Sequence, residues 1–197
     1  MKRMLAIALA ALLVFGLTAC GGTIEKADTP VASAATGAAG ETAQTKQVVV
    51  GVSMGATTMD PAHEYEWDAE MMLHSVYPTL VTSDYADESK ILPCVASEWV
   101  ISDDGLTYTF TLNQGIQFTT GKELKASDVA FSLNRLKGAA GNPSFLLSSV
   151  ESVEATGDYE VTVTLSEPNP ALLNILTRAS AGVYDAEVAQ ANGATCD

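Results

Sequence analysis

An α+β fold is what this sequence predicts, and three features predict it. Two stretches of apolar–polar alternation are each tied to a turn, one between Glu98 and Leu112 and one between Val150 and Leu165. A capped amphipathic helix lies between them at 127–137, and another amphipathic stretch precedes both. Hairpins mixed with short helices along one chain give that class.

The start of the chain is read for its address rather than its fold. Lys2 and Arg3 are followed by an uninterrupted apolar run of 14 residues, Met4 through Leu17. That run is short for a bilayer span and fits the hydrophobic region of a signal peptide. It ends in Leu17-Thr18-Ala19-Cys20-Gly21, which resembles the bacterial lipobox. The resemblance implies that Cys20 is lipidated and begins the mature protein, so residues 1–20 are expected to be a lipoprotein signal peptide. Residues 21–46 hold seven Ala, five Thr and four Gly without hydrophobic periodicity. Such a segment buries too little apolar surface to offset its ordering entropy, and reads as a flexible linker reaching roughly 28 Å.

About 150 residues remain, enough for one ordinary domain. Gln47–Ser53 is a nearly continuous apolar run, as in a buried strand. Thr57 to Pro61 reads as a loop, because Pro61 biases Asp60 away from helix. From Trp67 to Tyr77, Trp67, Met71, Met72, Leu73, Val76 and Tyr77 recur at helical spacing, closed by Pro78. Ser102-Asp103-Asp104-Gly105 has turn chemistry, and after it Leu106, Tyr108, Phe110 and Leu112 alternate with Thr107, Thr109 and Thr111. Ser127 is a candidate N-cap for a helix ending at Lys137, with Val129, Leu133 and Leu136 on its apolar face. The second hairpin turns at Thr156-Gly157-Asp158, and a last helix is expected over Ala171–Arg178.

Charge narrows the function classes. With 10 Lys and Arg against 24 Asp and Glu, the net charge is −14 at pH 7. Such a chain repels nucleic acid and anionic headgroups, so its membrane contact is expected through the lipid alone. Cys94 and Cys196 offer no spacing pattern and read as thiols rather than as a disulfide.

Candidate chemistry is sparse. Gly51-Val52-Ser53-Met54-Gly55 matches the nucleophile elbow of serine hydrolases, but that motif needs a helix directly after the serine. Here Ala56 to Pro61 is a loop, and His63 and His74 follow too closely to be a late-loop catalytic base. His63, Glu64, Glu66 and His74 lack any tight metal-ligand spacing. Asp103-Asp104-Gly105 lacks the acidic series of a calcium loop. No enzyme, metal or cofactor is expected.

A family resemblance runs through the remainder. Ile91-Leu92-Pro93-Cys94-Val95-Ala96-Ser97-Glu98-Trp99 resembles a P-x-L-A-x-S/E-W segment, continued by Ser102 through Leu112 and by Gly115-Ile116-Gln117-Phe118. Thr120-Gly121-Lys122-Glu123-Leu124-Lys125-Ala126-Ser127-Asp128-Val129 leads on to Arg135. Upstream, Thr58-Met59-Asp60-Pro61 is similar to T-L-D-P, and downstream Val161 through Pro168 is similar to an exit strand. These blocks resemble the family 5 extracellular solute-binding proteins, the peptide- and nickel-binding subunits of ABC importers. The pattern departs at Cys94, Asn113 and Thr119-Thr120.

The resemblance implies the first lobe of a two-lobed periplasmic-binding-protein-like fold, with the second lobe absent and the chain an amino-terminal fragment. A mixed sheet, Ia, is expected from 47–77 and 166–197, and a smaller subdomain, Ib, from 78–165. It implies a peptide ligand, permease subunits as partners, and nickel or haem capture as the alternative within the class. The ligand-facing loop is expected at Glu64, Tyr65, Glu66 and Trp67, with backbone groups pairing to the ligand. Trp67 either walls the site or packs inward at the start of its helix.

Overall fold

The computed structural model describes residues 48–51, 55–141 and 143–196. Residues 49–197 form one unit, and four helices, six strands and three 3-10 turns are described in it. The lipobox, the linker and Ser53 lie outside the described residues.

The two hairpins form where alternation places them. Strand β3 (Ala96–Ile101) turns into β4 (Thr107–Leu112), and β5 (Val150–Gly157) turns into β6 (Glu160–Leu165). All pair antiparallel, in the order β3-β4-β6-β5. Gly105 closes the first turn at φ +70°, a conformation that costs glycine nothing. Pairing sets Tyr108 opposite Val163, and Phe110 opposite both Val161 and Trp99. Tyr108, Phe110 and Leu112 are buried while Thr111 is exposed and Thr107 and Thr109 are half-buried, as the period-two pattern requires.

Helix α2 (Ala126–Gly138) packs on β5 and β6 with Val129, Leu133 and Leu136 buried. Its N-cap is Lys125 rather than Ser127, which is exposed. The reason is Asp128, whose carboxylate reaches back to accept the Lys125 N–H at 3.0 Å. A separate two-stranded ladder joins β1 (Val81–Ser83) to β2 (Ile91–Pro93), with Thr82 opposite Leu92. Asn113, a departure from the family pattern, donates Nδ2 to the Cys94 carbonyl at 2.9 Å and so ties the end of β4 back to the entry of β3.

Four expectations are corrected. Val48, Val49 and Val50 are not strand and stand 83%, 84% and 67% exposed, since no described strand lies alongside to share a ladder with them. Helix α1 covers only Trp67–His74, and only part of its apolar stripe is buried. Ala69 and Leu73 are buried, whereas Trp67, Met71 and Val76 are exposed. The expected helix at 171–178 shortens to α3 (Leu172–Ile175): the N–H groups of Thr177 and Arg178 bond Asn174 and Ile175, three residues back instead of four, and the Ala179 N–H then goes to the Glu70 carboxylate at 3.0 Å. Helix α4 (Ala186–Ala191), which was not expected, is capped by Asp185 accepting the N–H of Glu187 and of Val188. At the end of the expected Thr57–Pro61 loop, Pro61–His63 forms a 3-10 turn capped by Asp60.

Candidate functional site

Two places gather polar side chains, and they differ in what those side chains are free to do. The first is a cleft of about 740 Å³ between the Ile116–Thr120 segment, Tyr77, Tyr184 and α4. Its charged groups are committed to one another. Arg135 donates from both terminal nitrogens to Asp60 at 2.5 Å each and reaches the Tyr184 hydroxyl at 3.3 Å. Burial pushes the Asp60 carboxyl up, but the hydrogen bonds and charge of Arg135 outweigh it and hold the group below its usual range. Burial likewise raises the Tyr184 hydroxyl.

Behind that cleft, Lys122 bridges Asp128 at 2.8 Å and Asp185 at 3.1 Å. Asp128 is fully buried and also accepts the Ala186 N–H at 3.0 Å. Burial opposes the charge on Lys122, but the two carboxylates win and raise its affinity for the proton. The Thr120–Asp128 motif is thus a staple. It fastens the loop before α2 to the start of α4, with Thr120 Oγ1 donating to Asp185 at 2.9 Å.

The second place is the loop picked out from sequence, and there the structure divides the four residues. Glu64 is buried, 2% exposed, and its Oε1 accepts the N–H of Tyr65 at 2.9 Å and of Glu66 at 2.5 Å. It shapes the loop from within. Tyr65 is half-exposed and meets the edge of Phe145 with ring centroids 5.4 Å apart. Glu66 is the N-cap residue of α1, and its carboxylate accepts the Thr57 N–H at 3.4 Å. Trp67 does begin the helix, yet it is 82% exposed and does not pack inward. None of the four lines the cleft.

Sequence reasoning missed the partners of this loop. Arg178 stacks on Tyr65 at 5.5 Å and donates to Glu70 Oε2 at 2.9 Å. Burial raises the Glu70 carboxyl, and hydrogen bonds from His74 and the Ala179 N–H, with the charge of Arg178, bring it net below its usual value. His63 lies 3.2 Å from Asp60 and His74 3.5 Å from Glu70. The two histidines therefore serve different carboxylates and do not converge. Five buried side-chain polar atoms without a hydrogen-bond partner are found among the described residues, and four sit in this region: Glu64 Oε2, Asp68 Oδ2, Arg178 Nε and Ser180 Oγ. Buried groups of this kind are rare, and bound water is the ordinary way of satisfying them. No local pattern announces Phe145 or Arg178, since their roles come from packing across the chain.

Residues 90–195 match the sequence model of bacterial extracellular solute-binding proteins, family 5, middle. The chain belongs to this family. Over 133 residues it is 34% identical to the glutathione-binding protein GsiB of Escherichia coli O1:K1 / APEC, covering 66% of this chain and 26% of that protein. The binding protein AgaA of A. tumefaciens R10, solved with agropinic acid, is similar at TM-score 0.65 and 26% identity over 73% of this chain and 29% of that one. Haemophilus influenzae OppA, solved with the peptide RPPGFSPFR, is similar at TM-score 0.64 and 25% identity, over 69% and 29%. This family 5 chain thus spans about a quarter to three-tenths of the length of those relatives. They are solute-binding proteins rather than enzymes, which places the chain in a non-enzymatic family. The likeness in structure fits one part of a lobe of such a protein.

Proposed function

We propose that this chain is part of the extracytoplasmic substrate-binding component of an ABC importer, held to the membrane by a lipid on Cys20, and that its ligand is a peptide. In this reading residues 1–20 are the signal peptide and 21–46 the tether. Residues 47–77 and 166–197 belong to Ia, and 78–165 are Ib. A peptide lies along Glu64–Trp67, with Tyr65 and Trp67 as apolar walls and the loop backbone supplying hydrogen bonds. The permease subunits are the downstream partner.

The observation that carries the reading is an aromatic surface at the loop. The half-exposed Tyr65–Phe145 pair is backed by Arg178, whose Nε is one of the buried polar atoms without a partner. Aromatic side chains beside a few unsatisfied polar groups are the ordinary make-up of a ligand site. GsiB and OppA, by their names and solved complex, bind glutathione and a nonapeptide respectively.

Ligand-observed NMR on the purified chain tests this, because saturation transfer detects millimolar binding. Glutathione and unrelated tri- to pentapeptides are expected to receive saturation, and Tyr65→Ala and Phe145→Ala to abolish it. No transfer to any peptide, or transfer indifferent to both substitutions, would remove the peptide reading of this loop.

A further inference from the structure

The four-stranded sheet ends in two edges, β3 and β5, and they are finished differently. The β5 edge is closed. From α2, Asn134 donates Nδ2 to the Val153 carbonyl at 2.9 Å and Lys137 donates Nζ to the Glu151 carbonyl at 2.5 Å. Two register shifts also interrupt the pairing of β5 with β6. Bulges and covering groups are ordinary ways of keeping a further strand off an edge.

The β3 edge is open. Its first residue, Ala96, is bonded to Leu80 and Cys94. From Ser97 to Ile101, among the described residues, the backbone makes no hydrogen bond except to β4. The Ser102 N–H bonds the Thr107 carbonyl at 2.9 Å. By antiparallel alternation Glu98 and Val100 therefore bond toward β4, while Trp99 and Ile101 turn their N–H and C=O outward.

Side chains at this edge favour a partner and say which kind. Val100 is 68% and Ile101 42% exposed, and residues 96–106 hold no Lys, Arg or Pro to discourage pairing. Glu98 shares a face with Val100, and Asp103 lies in the turn that follows. Both are exposed, and neither has a hydrogen-bond or ion-pair partner among the described residues. A second copy would bring its own excess of acid, 24 acidic against 10 basic residues, so charge selects a basic strand over self-pairing.

We propose that the open edge of β3 accepts an extended segment of a partner protein by antiparallel strand addition, with an apolar residue beside Val100 and a basic residue two positions away beside Glu98. Backbone bonds from Trp99 and Ile101 hold the segment, and the pair at Glu98 sets its register and its charge preference.

Two end-capped heptapeptides test this: Thr-Val-Thr-Lys-Thr-Val-Thr, and the same peptide with Glu in place of Lys. Each is titrated into the isotope-labelled chain and followed by backbone amide NMR. The Lys peptide is expected to shift the amides of Glu98–Ile101 and to bind about fivefold tighter than the Glu peptide, as exchanging one cross-strand attraction for a repulsion requires. Glu98→Lys is expected to reverse that preference. Glu154→Lys, the same charge change at an exposed position on the closed β5 edge, is expected to leave it as it is. The wild-type comparison needs no variant, so it decides even if Glu98→Lys fails to fold. Binding of neither peptide, equal binding of both, or a preference that survives Glu98→Lys or reverses in Glu154→Lys overturns the proposal. Shifts at Glu98–Ile101 that grow with protein concentration alone would place a second copy at the edge and overturn it as well.

Discussion

Arg135 grips Asp60 with both terminal nitrogens at 2.5 Å, across 75 residues of sequence. Asp60 belongs to the Thr58–Pro61 block and Arg135 ends the Thr120–Arg135 block, so the pair fastens together two segments that the family resemblance treats as separate. Asp60 also caps the 3-10 turn that leads into the Glu64–Trp67 loop, so this contact sets where the candidate ligand loop starts.

Breaking that pair should be costly because one partner is nearly enclosed. Arg135→Ala is expected to lower stability by about 2 kcal/mol, the size of a hydrogen-bonded charge contact with partial burial. The double variant with Asp60→Asn should cost less than the two single changes added together. Urea unfolding of the four proteins measures the coupling, and strict additivity would mean the contact carries no stability.

Acid should weaken the fold through carboxylates held by partners, among them three that link segments distant in sequence. Asp60, Glu70 and Asp185 all have folded values below their ordinary 3.8, 4.5 and 3.8. The unfolded chain then takes up protons first. The stabilisation is fully present above about pH 5 and is lost as pH falls through the lowered folded values. Thermal midpoints between pH 7 and pH 2.5 should drop below pH 5, and Asp60→Asn should show a shallower drop. A midpoint that holds or rises on acidification would contradict the assignment.

The hairpin face provides a sharper contrast between neighbours. Phe110 is fully buried and packed opposite Val161 and Trp99, while Thr109 lies on the other face of the sheet. Phe110→Ala should cost about 3–5 kcal/mol and Thr109→Ala well under 1 kcal/mol. Comparable shifts in denaturation midpoint would mean that the sheet's two faces are not distinguished by burial.

The proposed anchor has a direct test in cells. Cys20→Ser should remove the acylated thiol, so the variant accumulates as unprocessed precursor and loses fatty-acid labelling. A variant still labelled in the membrane fraction would remove Cys20 as the lipid site.

Alternation and spacing by themselves determined the hairpins of β3–β4 and β5–β6 and the inner face of α2. These are short-range matters: period two sorts Tyr108, Phe110 and Leu112 from their threonines, and Gly105 supplies the left-handed turn. Motif order along the chain likewise carried the family resemblance. Tertiary structure alone decided which face of α1 is buried, that Glu64 turns inward while Trp67 stays out, and that Arg178 meets Glu70 from 108 residues away. The physical reason is that a helix has several faces and periodicity marks only an apolar one. Which side loses water, and which charge finds a partner, depends on the elements packed against it. Here the 3-10 turn at Ala179–Ala181 packs on α1, whose Ala69 and Leu73 are buried while Trp67 and Met71 stay in the open.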